Sequence, residues 1–403
     1  MASQTPPAKR AADHGSAEID DDVLYEILLR LPAKQLCRLR AVCRSWRSLL
    51  SAPSFIAAHT ARRAAPLLVV RVHDASAFNV HVLDISSGEA VKRIRAETQT
   101  NTTRSLNSVA LMRSPHDLPL VRLTSTDDGL RLHVFDAVTG VDFALPHVDH
   151  DKQQPHHASF MFSRVSTGDY KVLCIRTCTS VLDGQQVCRM LTLSGNSGDH
   201  GWKEMACPPA KVRTGRRQAV AVKGVAYFLL STILDHHPEE CIAAYDLEKE
   251  LWRPAPLAAP VPSNSNKQQP RRMFYHSLAE LGGCLALLYE DWDAFMELWL
   301  LVDPGKVIWS KRCTITVPYR HKGVQDQRVS SYSAEMLWLL NGGRIVIWMF
   351  LVGSGLPRAV LCTYDPRIMS FTDVADMPNY IMEGVYTGSL LGRESFHHLH
   401  QGN

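Results

Sequence analysis

The chain has 403 residues, 45% of them hydrophobic and 21% charged, with 44 Lys and Arg against 40 Asp and Glu for a net charge of +4. That balance excludes a largely disordered chain and a polycation built to coat nucleic acid. At about 150 residues per domain, the length suits two or three domains with ample apolar material for one large core.

Residues 1–18 (MASQTPPAKRAADHGSAE) are polar and small and lack the apolar core of a signal peptide, so they read as a disordered tail. The strongest apolar run, residues 345–352 (IVIWMFLV), falls far short of the roughly 20 residues that span a bilayer and reads as a buried strand. The expectation is a cytoplasmic or nuclear protein. Ten cysteines are scattered without a repeating framework, as small buried hydrophobes are in a reducing compartment. The Asn101-Thr102-Thr103 sequon carries no meaning there.

Residues 19–60 have helical periodicity. Val23, Leu24, Ile27, Leu28 and Leu31 share one face at about 100° per residue, and Asp20, Asp21 and Asp22 sit where the positive end of a helix dipole favours carboxylates. Pro32 ends this helix and opens the next, which carries Leu36 and Leu39. Val42, Trp46, Leu49 and Leu50 predict a third helix, stopped by Pro53. Three short helices bury too little surface to be stable alone, so part of their apolar face calls for a partner. Between Ile27 and Arg63 there are eight Lys and Arg and no Asp or Glu. This is a solvated basic face or a means of steering toward an acidic protein surface; nucleic acid is a weaker third reading, since Trp46 is the one aromatic interleaved with the charges from Arg30 to Arg47.

The run DDVLYEILLRLPAKQLCRLRAVCRSWRSLLSAPSFIAAH (residues 21–59) resembles the F-box in its plant form. The matching pieces are Leu24-x-Glu26-Ile27-Leu28-x-Arg30-Leu31-Pro32, Leu39-Arg40-x-Val42-Cys43-Arg44-Ser45-Trp46-Arg47 and Pro53-x-Phe55. One departure is Ile19-Asp20 where the family usually has Leu-Pro, which weakens the first turn of adaptor contact. The resemblance implies docking on a Skp-type adaptor, which links to a cullin scaffold and a RING protein of a ubiquitin ligase. By carry-over, Leu24, Ile27, Leu28, Leu31, Pro32, Leu36, Val42 and Trp46 form the core and adaptor face of this module.

From about residue 66 the pattern turns strand-like, with short apolar runs separated by Gly, Asp-Gly, Asn-Gly and Pro-Gly turns. A weak repeat recurs in residues 80–91, 132–143, 190–202, 241–252, 298–309 and 361–371. It places Asp84, Asp136, Ser194, Asp246, Asp303 and Asp365 in register, with Trp252, Trp309 and Phe371 each six positions after their aspartate. An earlier hairpin, as in residues 219–230, 278–289 and 336–350, raises each unit to four strands. Four strands at a period near 50 is propeller-blade arithmetic, comparable to kelch blades. Six copies predict six blades, with seven, or a closed two-sheet arrangement, as the alternatives. The aspartates are turn residues and the tryptophans core.

This region also resembles the F-box-associated domains of plant F-box proteins, in phrases such as DYKVLCIRT (residues 169–177) and KGVAYFLL (residues 223–230). The expected organisation is a disordered tail (1–18), a small all-α F-box module (19–60), a large all-β, propeller-like substrate-binding domain (66–395) and a flexible tail (396–403). The resemblance implies a non-catalytic substrate-recognition subunit, with no cofactor and with neither membrane nor nucleic acid among its partners. The competing classes are an interaction scaffold outside the ligase and a propeller that binds or turns over a small molecule or carbohydrate.

No Walker loop, Gly-x-Ser-x-Gly elbow or Gly-x-Gly-x-x-Gly fingerprint is present. Cys174 and Cys178, with Cys188 the densest thiols, fall four apart on an expected strand and lack zinc-site spacing. The pairs His156-His157, His236-His237 and His397-His398 read as solvated loop histidines. Gly353-Ser354-Gly355 reads as a hairpin turn, and Glu290, Asp291 and Asp293 as an acidic loop. Lys211, Arg213, Arg216 and Arg217 form a basic surface run, suited at most to an acidic substrate motif, and residues 259–270 read as a polar loop joining two units.

Overall fold

The computed structural model describes residues 20–31, 33–62, 66–72, 78–96, 120–126, 129–135, 142–146, 158–167, 169–177, 185–193, 201–215, 217–231, 241–261, 275–290, 295–317, 329–353, 358–378 and 380–386. Both expected tails lie outside them. The chain divides into two compact units, residues 1–62 and 63–403.

The first unit is helical: α1 (Asp21–Leu29), α2 (Ala33–Leu39), α3 (Arg44–Ser51) and α4 (Pro53–Arg62). The Asp20 carboxylate caps α1 by accepting from the Asp22 N–H at 3.3 Å. The three-helix expectation is corrected to four. Pro53 stops α3, because the residue before a proline is driven to extended backbone and Ala52 is extended (φ −67°, ψ 133°). The same proline sits in the first turn of α4, where its missing N–H costs nothing. Leu28, Leu29, Leu36, Leu50 and Phe55 form the buried centre, and Tyr25 meets Phe55 edge-on at 5.2 Å. The Arg40 guanidinium donates to the Leu50 carbonyl at 2.6 Å, and His59 Nε2 donates to the Leu31 carbonyl at 2.9 Å. Both side chains thus satisfy carbonyls at or just beyond a helix end.

The second unit is a set of antiparallel sheets built mostly from consecutive strands. The first sheet begins with β1 (Leu67–Val72), β2 (Phe78–Asp84) and β3 (Ala90–Ala96). The second is β4 (Leu120–Thr126), β5 (Gly129–Phe135) and β6 (Asp142–Ala144). The third is β7 (Ala158–Arg164), β8 (Tyr170–Thr177), β9 (Gln186–Leu193) and β10 (Lys203–Met205). The fourth is β11 (Ala219–Val222), β12 (Val225–Leu229), β13 (Cys241–Asp246) and β14 (Leu251–Trp252), with β15 (Leu257–Ala258) paired to β13. The fifth is β16 (Tyr275–Leu281), β17 (Cys284–Glu290), β18 (Phe295–Asp303) and β19 (Ile308–Thr316). The sixth is β20 (Val329–Leu339), β21 (Ile345–Gly353), β22 (Arg358–Asp365) and β23 (Ser370–Asp376). Finally β24 (Tyr380–Tyr386) returns to pair with β1, Leu67 opposite Tyr386, and completes the first sheet.

The unit is a β-propeller, but its blade count departs from the expected six or seven. Five sheets have the four strands or more of a complete blade, while β4–β6 has three among the described residues. The repeat over residues 132–143 supplies only the closing hairpin of that unit, and the text before β4 includes the polar run ETQTNTTRS (97–105), outside the described residues.

The cores lie between sheets. Along β8, Val172 and Cys174 pack with Phe160 and Leu191, while Leu173 and Ile175 pack against Phe228 and Tyr245 of the fourth sheet. Along β17, Leu285, Leu287 and Tyr289 face the fourth sheet, and Ala286 and Leu288 face the sixth. Along β21, Ile345, Ile347 and Met349 face back to the fifth sheet, whereas Val346 and Trp348 meet Leu68, Val70 and Met382 of the first. Successive side chains of a strand point to opposite faces, so a strand covered on both faces reads as an unbroken apolar run. That is the physical account of residues 345–352, and this last core joins the last strands of the second unit to its first.

Each of the six sequence repeats falls on the hairpin of the last two strands of its sheet. Asp246 Oδ1 accepts from the Glu248 and Lys249 N–H groups at 3.0 and 2.9 Å, and Asp303 Oδ1 from those of Gly305 and Lys306 at 2.9 and 3.0 Å. Asp84 and Asp365 do the same, at 2.8 Å from the Ser86 N–H and 2.9 Å from the Arg367 N–H. Four positions on, the backbone is left-handed in every one of these turns: Gly88, Glu250, Val307 and Met369 have φ of 72°, 56°, 55° and 51°. At Gly88 space demands glycine as well, since a Cβ would lie 2.5 Å from Ala375 Cβ. Met369 is 77% exposed and packs on nothing that a glycine would lose. Met369→Gly should therefore raise stability by about 0.5–1 kcal/mol, read as a higher urea midpoint; an unchanged or lower midpoint would count against strain at this turn.

The repeat tryptophans do more than fill the core. Trp202, Trp252 and Trp309 each donate their indole N–H to a carbonyl at the end of the preceding sheet, Pro146 at 3.0 Å, Ala206 at 2.8 Å and Ala258 at 2.8 Å. Phe371 cannot donate, and Tyr364 of the sixth sheet instead reaches the Thr314 carbonyl at 3.2 Å.

Candidate functional site

In the helical unit, the apolar stripe of α1 grades from wet to dry. Val23 and Ile27, at one margin, are 50% and 47% exposed; Leu24 and Leu31 are half-buried; Leu28, at the other margin, is 1% exposed. Leu36 of α2 is buried, Trp46 of α3 half-buried, and Val42 63% exposed in the turn before α3 rather than on that helix as the sequence predicts. Pro32 lies outside the described residues. The seven described residues of the eight singled out in sequence thus divide into core (Leu28, Leu36), partly covered (Leu24, Leu31, Trp46) and solvent-facing (Ile27, Val42). Sequence reasoning missed Val23 as a solvent-facing member and α4 as the element that supplies Phe55 and His59. A proline heading an otherwise helical run, Pro53 before Ser54 and Phe55, was the available signal.

The basic run divides too. Arg40 and Arg47 donate to backbone carbonyls, and Arg62 pairs with Glu26 at 2.7 Å. The exposed side chains of Arg30, Arg38 and Arg44 meet no carboxylate among the described residues. Net positive charge is therefore presented to solvent beside exposed apolar side chains.

In the propeller, strand direction sorts the connections. The two-residue turns 223–224 and 282–283 and the aspartate turns lie at one end of the sheets. The longer connections 178–185, 230–240, 259–274 and 317–328 leave from the opposite end. There, β7, β11, β16 and β20 lie side by side as the first strands of their sheets. Arg217, left-handed at φ 67°, spans three sheets at this end. Its carbonyl accepts from the Leu278 N–H at 2.8 Å, and its guanidinium donates to the Ala334 carbonyl at 2.6 Å and faces Glu290 at 3.5 Å. Burial pushes the Glu290 carboxyl up to about 7, against the pull of Arg217 and the Ala334 N–H.

Several sequence readings change here. Glu290 is not part of an acidic loop but the buried last residue of β17; Asp291 and Asp293 lie outside the described residues. Arg217 is engaged internally, whereas Lys211 is exposed and Arg213 half-buried; Arg216 lies outside the described residues. Cys174 lies on β8, which is described to Thr177; Cys178 lies outside the described residues. The three histidine pairs, Ser354 and Gly355 are also outside the described residues.

Residues 68–376 match the model of the F-box associated beta propeller domain, and residues 17–57 that of the F-box domain. An all-helical module with this motif, followed by a propeller of this kind, defines the class. The chain belongs to the F-box proteins that carry an F-box associated β-propeller domain. An F-box protein of Arabidopsis thaliana is 25% identical over 406 residues, covering 93% of this chain and 92% of its own length. An F-box/kelch-repeat protein of the same plant is 24% identical over 379 residues, covering 91% and 89%. Among solved structures, a six-bladed propeller lectin of Aleuria aurantia is 10% identical, with a TM-score of 0.42, covering 78% of this chain and 96% of that one.

Proposed function

We propose that this chain is the substrate-recognition subunit of an SCF-type (Skp–cullin–F-box) ubiquitin ligase, working in the cytoplasm or nucleus and performing no bond chemistry itself. The observation that carries this reading is the F-box whose apolar α1 stripe stays wet at Val23 and Ile27 in the chain without a partner. A Skp-type adaptor covers that margin, together with Val42, and Leu24, Leu31 and Trp46 are buried further in the complex. Leu28 and Leu36 contribute from within, by holding the helices in place. Arg30, Arg38 and Arg44 steer the encounter toward an acidic adaptor surface, which acts mainly on the association rate. The cullin and RING protein join through the adaptor.

The propeller holds a protein substrate on the end that carries the long connections, since connections on a rigid scaffold are where recognition residues concentrate. Tethering raises the concentration of substrate lysines at the charged conjugating enzyme, and that proximity is the whole mechanism.

Co-purification of the full chain with a Skp-type adaptor tests the docking step. Ile27→Asp puts a charge on the wet margin without entering the core, so it should abolish capture while circular dichroism stays that of the wild type. Equal capture by the wild type and a folded Ile27→Asp chain would remove this face from the interface. No capture by the folded wild type would point to the Ile19-Asp20 departure and leave the chain outside the ligase.

A further inference from the structure

The third sheet brings two thiols together. Cys188 sits on β9 opposite Met205 of β10, buried completely in a core that includes Phe228 and Tyr245. Two residues past β10, Cys207 is exposed and donates its thiol proton to the Gln186 carbonyl at 2.9 Å. Extending the β9–β10 register sets Cys207 opposite Gln186, on the same pleat face as Cys188 and diagonal to it. Diagonal neighbours on one face have Cα atoms about 7–8 Å apart, so the two residues are neighbours across the edge of the sheet. Cys174, on the neighbouring strand, faces the other core.

The same place anchors a segment that crosses the long-connection end. Gln186 brackets Val212, accepting from its N–H at 2.9 Å and donating to its carbonyl at 2.8 Å. Farther on, the Gly215 N–H donates to Ser159 Oγ at 2.9 Å and Arg217 reaches Ala334. Cys207 is thus at the root of residues 206–218, beside an edge strand of three residues that has little to hold it closed.

We propose that Cys188 and Cys207 are a peroxide-responsive dithiol, whose disulfide fastens the root of residues 206–218 to the third sheet. The Cys207 thiolate attacks one oxygen of hydrogen peroxide, the O–O bond breaks, hydroxide leaves, and a sulfenic acid forms. The Cys188 sulfur then attacks the Cys207 sulfur; the S–S bond forms, the S–O bond breaks, and the hydroxide leaves as water with the Cys188 proton. Two thiols are oxidised to one disulfide, and one peroxide is reduced to two waters. Burial keeps the Cys188 thiol protonated, so the second step follows opening of β10 and is the slower one. Nothing in this chemistry depends on adaptor docking.

The test is thiol mapping of the full folded chain by mass spectrometry, after hydrogen peroxide and then N-ethylmaleimide. The expected product is a Cys188–Cys207 peptide pair lighter by two hydrogens, reversed by dithiothreitol and absent from Cys207→Ser. In Cys188→Ser, Cys207 should instead be trapped by dimedone as the sulfenic acid. Recovery of wild-type Cys207 as its maleimide adduct, as a sulfinic or sulfonic acid, or joined to any other cysteine would overturn the proposal. Cys207→Ser alters an exposed side chain, so the wild-type and Cys207→Ser readouts decide the matter even if Cys188→Ser does not fold.

Discussion

Leu28→Asp should unfold the helical module and Ile27→Asp should leave it folded, although the two residues are consecutive on α1. Leu28 is 1% exposed and Ile27 47%. Losing the packing of a buried leucine alone costs about 2–5 kcal/mol, and a carboxylate at that depth also forfeits its hydration. A core of this size supplies at most about 3–5 kcal/mol, so the substitution consumes all of it. At Ile27 the new carboxylate remains in water, and the change should stay near 0.5 kcal/mol. Hydrogen exchange of the α1–α4 amides, with the propeller amides as internal control, separates the two outcomes. Retained protection in Leu28→Asp, or lost protection in Ile27→Asp, would show that the graded burial of the stripe is wrong.

Glu290→Gln should stabilise the propeller at pH 8 and leave it almost unchanged at pH 5. Burial at the end of β17 raises the Glu290 carboxyl from an ordinary 4.5 to about 7. Between those values the folded chain holds a proton that the unfolded chain has released, so stability falls as pH rises through this window and the loss is complete above it. At about 1.4 kcal/mol per pH unit, the loss at pH 8 amounts to roughly 3 kcal/mol. Glutamine is neutral throughout, and its amide oxygen can still accept the Ala334 N–H. Urea midpoints at pH 5 and pH 8 for both chains give the answer as a difference, in which groups that titrate alike cancel. Parallel pH profiles for the two chains would mean that Arg217, at 3.5 Å, already compensates the buried charge.

Much of this fold is written locally. The aspartate of each repeat needs only the next few N–H groups to make its turn, so Asp84, Asp246, Asp303 and Asp365 were legible as turn residues from spacing alone. The same holds for α1, where Asp20 caps and the apolar period runs on to Leu31. Reading failed where a residue's role depends on something distant in sequence. Trp252 looks like core, yet its N–H closes on Ala206 of another sheet. Glu290 sits among acids in sequence, yet β16 and β17 carry it inside against Arg217. Pro53 reads as a stop because termination is its strongest local effect; the helix it also opens shows in the packing of Phe55 against Tyr25.

By itself, therefore, the sequence determined the helical module with its F-box motif, the all-β character of the remainder, the hairpin repeats and the residues that turn them. These follow from periodicity and turn chemistry, which act over a few residues. Tertiary structure decided which part of the α1 stripe stays wet, because the other helices cover only one margin of it. It decided that five sheets are complete blades among the described residues and that β24 closes the first sheet. It also decided that Cys207 falls diagonal to Cys188 across the edge of the third sheet and that the long connections share one end. Each of these depends on contacts between segments whose separation along the chain leaves no periodic trace.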